Sequence, residues 1–178
     1  MQKLIIMITL LGSLLLTGCI ENISPEGLTV RVPASTITSS LEQQFPIQQD
    51  FSYGNVELSN PKALLTRGSN RVVTGTSIGF SNALIPQQTG SLYVSGMPFF
   101  DAQTGNIYLR EPMIDKLEFN GYKLSSLIQG PLKSAIIPII NQIFRTTPIY
   151  TVDRSSLQGS FVKNVVVDNG ELLVTFGF

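Results

Sequence analysis

The sequence predicts an α+β domain, and three observations predict it. Most of the chain from Leu28 onward alternates apolar and polar residues with the period of two that a half-buried strand needs. Between Leu124 and Phe144 the apolar residues instead recur at intervals of three and four, the period of a helix. The resulting order of strand, helix, strands, longer helix and strands, without internal repeat or low-complexity tract, segregates the two types rather than alternating them.

Leu28-Thr-Val-Arg-Val32 alternates as a first strand and Pro33 closes it. A short helix follows, with Ser35 as its cap, Ile37, Leu41 and Phe45 on one face, and Pro46 ending it. Residues 53–59 and 64–67 read as strand on either side of Asn60-Pro61, where the proline predicts a bulge or an edge position. Gly68-Ser69-Asn70 turns the chain into the alternating run 71–80. The clearest hairpin joins 91–100 to 106–109 through Asp101-Ala-Gln-Thr-Gly105, and its second strand continues past Pro112 through Leu117 and Phe119. Gly130-Pro131 suits the first turn of the main helix, Pro138 a kink within it, and Pro148 its end. The isoleucines at 136, 137, 139, 140 and 143 leave little polar surface, so this helix is expected to be covered on more than one side. A last hairpin, 164–167 with 171–176, turns at Asp168-Asn169-Gly170.

Ahead of this domain stands Lys3, then an uncharged apolar run to Leu16 that is too short for a membrane span of about 20 residues. Such a run reads as a secretory signal. It ends in Leu16-Thr17-Gly18-Cys19, which resembles the lipobox of bacterial lipoproteins: an aliphatic residue, two small ones and the cysteine that is lipidated. The chain has one cysteine, which leaves Cys19 free of any disulfide role. The expected organisation is a signal peptide over 1–18, a lipidated cysteine with a polar tether over 19–27, and a single domain over 28–178. Each buried methylene contributes about 0.8 kcal/mol, so a diacylglycerol and an N-acyl chain such as palmitate together fix the protein to its membrane. The resemblance to lipoprotein sorting signals, with Ile20 rather than Asp after the cysteine, implies the periplasmic side of the outer membrane over the inner membrane.

Composition excludes several kinds of chemistry. The chain has no histidine, so Ser-His-Asp and Cys-His catalysis and zinc sites built on histidine are ruled out. Without the signal it carries 11 basic and 12 acidic residues, a balance that offers no basic face to nucleic acid. Asp101, Glu111, Asp115 and Glu118 are the nearest approach to a carboxylate constellation, but their spacing is that of a turn residue and a solvated strand face. Arg145 follows the apolar helix, where a cation compensates the helix dipole or meets an anionic head group.

Three segments carry a family resemblance: Gly96-Met-Pro-Phe-Phe-Asp-Ala-Gln-Thr-Gly-Asn-Ile-Tyr-Leu109, Pro138-Ile-Ile-Asn141-Gln142 with Thr147-Pro148-Ile-Tyr150, and Asn169-Gly-Glu-Leu-Leu-Val-Thr-Phe176. Residues 28–178 resemble the YceB-like family of bacterial envelope lipoproteins, which has no established activity. That family is similar to tubular lipid-binding domains. The resemblance implies a strongly curved antiparallel sheet wrapped around the long apolar helix, over residues 132–144, and glycines 75, 79 and 96 suit such curvature. It further implies an apolar ligand in the gap, lined by Ile136, Ile139, Ile140, Ile143 and Phe144 from the helix and by Val94, Met97 and Leu109 from the sheet. No catalytic residue, cofactor or metal is expected. The expected function is a non-enzymatic binder of lipid or another apolar ligand; a structural or protein-interaction module of the envelope, with a filled core and an unknown partner, is the alternative.

Overall fold

The computed structural model describes residues 20–24, 27–52, 54–83, 87–120, 126–153 and 161–177. The signal segment 1–18 and Cys19 lie outside them. Among the described residues, ten strands and two helices follow one another as β1 Ile20–Ser24, β2 Gly27–Val32, α1 Ala34–Glu42, β3 Ile47–Phe51, β4 Gly54–Leu65, β5 Val72–Ser81, β6 Gln88–Asp101, β7 Asn106–Asn120, α2 Ser126–Thr146, β8 Tyr150–Thr151, β9 Phe161–Asp168 and β10 Glu171–Gly177. They form two antiparallel sheets, a larger one in the order β3-β4-β5-β6-β7-β8 and a smaller one in the order β1-β2-β10-β9.

The long strands follow from their alternation. In β5 every second residue, Val72, Thr74, Thr76, Ile78 and Phe80, points inward and is buried. Proline shapes two of its neighbours. Asn60 and Glu111 both take a φ of 50° directly before a proline, and the register slips beside each, at 59–62 in β4 and at 95–97 in β6 opposite β7. These are bulges, one of the two outcomes expected at Asn60-Pro61. Gly96 sits in the second bulge, where a Cβ would lie 2.7 Å from Leu109 Cβ, so the close approach of β6 and β7 needs glycine there.

Helix α1 lays Ile37 and Leu41 on the core. It starts at Ala34 with Pro33 in the cap position, so Ser35 lies inside the helix rather than capping it. Its Thr38 hydroxyl accepts from the Ala63 N–H at 3.0 Å and donates to Ala34 O at 2.9 Å, which ties α1 to β4. Gln44 Nε2 reaches Pro148 O at 2.7 Å and joins the end of α1 to the segment after α2.

The expectation of a strongly curved sheet wrapped around a long apolar helix is overturned. The molecule is mostly antiparallel sheet, the sheet is not strongly curled, and it does not surround α2. Helix α2 does run uninterrupted through Gly130, Pro131 and Pro138, but it packs one face towards β7. Ile136, Ile140, Ile143 and Phe144 are buried at helical spacing, whereas Ile137, Pro138, Gln142 and Arg145 are exposed. An isoleucine-rich helix looks apolar all round in sequence, yet here Ile137 keeps 39 % of its surface in water. Two of the glycines read as curvature sites serve close packing instead: besides Gly96, a Cβ at Gly75 would meet the Tyr93 ring at 3.0 Å.

The segment read as a polar tether also behaves differently, because residues 20–24 form β1 and pair with β2. β3 and β8 are further strands that the alternation did not mark.

Candidate functional site

The residues expected to line a gap between helix and sheet are brought together, but as core. Val94, Leu109, Ile136, Ile140, Ile143 and Phe144 are each no more than 5 % exposed and belong to one cluster that draws on both sheets and both helices. Ile139 packs against that cluster half-buried, and Met97 is half-buried on the other side of β6. Two of the buried polar atoms within this interior, the hydroxyls of Thr74 and Thr76, have no hydrogen-bond partner among the described residues.

A groove of about 560 Å³ opens beside this core, lined by Phe99, Asp101, Tyr108, Leu109, Arg110, Glu111, Arg145 and Thr146. Its volume lies within the roughly 300–1,000 Å³ of small-molecule sites. The β6–β7 hairpin builds one wall. Phe99 pairs in register with Tyr108 and Met97 with Arg110, so these four side chains share a face, and the Arg110 guanidinium lies over the Phe99 ring at 4.0 Å from its centre. The end of α2 supplies the other wall through Arg145 and Thr146.

The hairpin is held in place by the residues that follow α2. Ile149 N–H donates to Ile107 O at 2.8 Å, Val152 N–H to Gly105 O at 3.0 Å, and the Thr151 hydroxyl to Asn106 Oδ1 at 2.8 Å. Asp101 organises the turn: Oδ1 accepts from Gln103 N–H at 2.9 Å, Oδ2 from the Thr104 hydroxyl at 2.9 Å, and Gly105 closes it with a φ of 77°. Arg110 and Arg145, by contrast, form no ion pair among the described residues. The groove therefore sets the guanidinium groups of Arg110, stacked on Phe99, and of Arg145 beside the Phe99 and Tyr108 rings and the carboxylates of Asp101 and Glu111.

Of the four acidic residues, Asp101 and Glu111 line the groove, and three have partners of their own. Asp115 accepts from the Ser95 hydroxyl at 3.1 Å, Glu118 meets Lys116 at 3.0 Å, and Asp101 serves its turn. No group of three acidic, histidine or cysteine residues is placed to hold a metal among the described residues. A smaller pocket of about 190 Å³ lies on the second sheet, between Val30, Val32, Val174 and Phe176 on one side and Tyr150, Val152 and Asp153 on the other. Burial, and then the charge of Asp153, push the Tyr150 hydroxyl pKa above its ordinary 10.0.

Phe99, Tyr108 and Arg110 were absent from the expected lining. Their signal lies in the hairpin itself: a turn fixed at 101–105 sets which residues stand opposite one another, and Phe99 and Tyr108 then fall on one rung. No helix among the described residues is long and apolar enough to cross a membrane.

Fold and groove together define a two-sheet antiparallel domain with two helices and an open amphipathic groove at its main hairpin. The chain belongs to the DUF1439 family, described as a protein of unknown function, whose pattern it matches over residues 32–170. Among curated proteins, none matches the chain.

Proposed function

We propose that this chain is a YceB-like lipoprotein, anchored through Cys19 to the periplasmic face of the outer membrane, whose domain binds a ligand and catalyses no reaction. The ligand is a lipid or another molecule with an apolar body and an anionic end. The observation that carries this reading is the groove of about 560 Å³ in which Phe99, Tyr108 and Leu109 stand beside Arg110 and Arg145. Aromatic and aliphatic surface favours the apolar body, and an unpaired guanidinium gains a charge-assisted hydrogen bond from a carboxylate or phosphate. The lipobox Leu16-Thr17-Gly18-Cys19 supports the anchor.

Titration of the Cys19→Ser chain with a fluorescent fatty acid tests the ligand reading. Saturable binding is expected, weakened at least several-fold by Arg145→Glu and by Phe99→Ala, and unaffected by Lys116→Gln on the solvated strand face. Absence of saturable binding, or equal binding by all variants, would sink it. The anchor is tested separately by acyl labelling, which Cys19→Ser must abolish.

A second reading has its own observation. Phe161 and Val166 are 59 % and 38 % exposed on β9, the last strand of the smaller sheet. Exposed apolar residues on an end strand suit a protein contact in the envelope. Crosslinking from position 166 in intact cells would reveal such a partner.

A further inference from the structure

We infer that the anchored domain stands on the phospholipid surface by one fixed end, the end formed by the turns at 66–71 and 168–170, with no flexible spacer between lipid and fold. This inference rests on the reading of Cys19 as the lipidated residue.

The register of the smaller sheet carries it. β1 pairs with β2 from its first residue, with Ile20 opposite Val30 and Ser24 opposite Gly27. Cys19 is one peptide link from Ile20, so its Cα lies about 3.8 Å from a residue already in the sheet. A lipid on Cys19 therefore has no tether of its own, and the end of the sheet from which β1 sets out faces the bilayer.

That end can be identified from its neighbours. β2 finishes there, with Val32 opposite Leu172, and β10 starts there directly after the turn at Asn169 and Gly170. Gly170 packs against the adjoining β4–β5 turn, where a Cβ would lie 3.4 Å from Leu65 O and 3.5 Å from Arg67 Cγ. Arg71, at the close of the same turn, donates to Glu111 O at 2.6 Å, and Glu111 lines the groove. The chain of contacts runs from the anchor through two turns to the groove. Arg31 and Arg67 belong to this end; Arg31 is tied to Glu171 at 3.1 Å, and both suit a surface of phosphate head groups. The opposite end of the molecule lies at the β3–β4 turn around Ser52. β4 separates the two ends with 12 residues, or roughly 40 Å of strand. A groove held beside head groups takes its ligand from the membrane rather than from the periplasm.

The chain has one cysteine, and lipidation occupies its thiol, so an introduced cysteine is the single labelling site. The test uses full-length lipidated protein in phosphatidylethanolamine–phosphatidylglycerol vesicles that contain an acceptor-labelled lipid, with a donor fluorophore on Asn169→Cys or on Ser52→Cys. Energy transfer is expected to be several-fold stronger from position 169 than from position 52. A spacer of about twelve Gly and Ser residues inserted between Cys19 and Ile20 should bring the two values together. Equal transfer without the spacer, stronger transfer from position 52, or a difference that the spacer leaves unchanged would each overturn the fixed orientation. Failure of the protein to float with the vesicles at all would overturn the anchor reading itself, and flotation of both probes separates that failure from this one.

Discussion

Arg71 donates to the main-chain oxygen of Glu111 at 2.6 Å, across β6, at the point where Glu111 takes a φ of 50° before Pro112. The same guanidinium donates to Ser95 Oγ at 3.1 Å and to Ser95 O at 3.0 Å, and Ser95 in turn donates to Asp115 at 3.1 Å. One side chain thus fastens the bulge that sets the direction of the hairpin and the wall of the groove. Hydrogen bonds to a charged donor contribute about 1.5–3 kcal/mol. Arg71→Met is expected to lower stability by about 2 kcal/mol and to loosen ligand binding with it, which thermal unfolding and fatty-acid titration would read in parallel. An unchanged melting temperature would show that the bulge holds without this network.

The two faces of α2 should respond in opposite ways. Ile140 is fully buried, so Ile140→Asp places an unpaired charge among apolar neighbours and is expected to cost more than about 4 kcal/mol. Ile137 faces solvent, and Ile137→Gln should stay within about 1 kcal/mol of the parent chain. Denaturant titration distinguishes them. Comparable large losses at both positions would favour a helix enclosed on all sides.

Thr74 is fully buried and its hydroxyl has no partner among the described residues. Replacing an unsatisfied buried hydroxyl by an isosteric methyl removes a desolvation penalty. Thr74→Val is therefore expected to be neutral or to stabilise by about 1 kcal/mol in the same titration. A loss of 1 kcal/mol or more would mean that the hydroxyl is engaged.

Tyr150 supplies a pH dependence whose sign is fixed. Burial, with Asp153 second, raises the pKa of this acid in the folded state above its ordinary 10.0. The unfolded chain then loses this proton first, so the contribution to stability is complete below pH 10 and falls as pH rises from 10.0 towards the folded value. Tyr150→Phe should flatten that alkaline decline in a series of melts. A decline of the same steepness in the variant would assign it to other groups.

Several elements were legible in the sequence for reasons that remain visible in the structure. The hairpins at 101–105 and 168–170 were marked by Asp and Asn before Gly, and those glycines take the positive φ that the turns need. Asn60-Pro61 marked a bulge or an edge because proline cannot donate to the ladder, and the register slip there makes it a bulge. β3 escaped because its sequence Ile47-Gln-Gln-Asp-Phe51 is exposed except at its ends and shows no alternation. The environment of α2 was not legible, since the same isoleucines fill a one-sided helix and an enclosed one; only the strands packed against it decide. The groove depends on a contact between the hairpin and Arg145, residues distant in sequence, so no local pattern announces it. The expected lining drew on apolar residues that the core also requires, and six of the eight are buried in that core.

The proposed ligand site is the groove between the β6–β7 hairpin and the end of α2. Native mass spectrometry of the Cys19→Ser chain, purified without detergent and compared with its Phe99→Ala/Arg145→Glu double variant, tests it most directly. An adduct with the mass of a lipid or fatty acid is expected on the parent chain, and its loss is expected from the folded double variant. A parent chain that flies without an adduct and takes up no added fatty acid would contradict it, as would an adduct that the double variant retains in full.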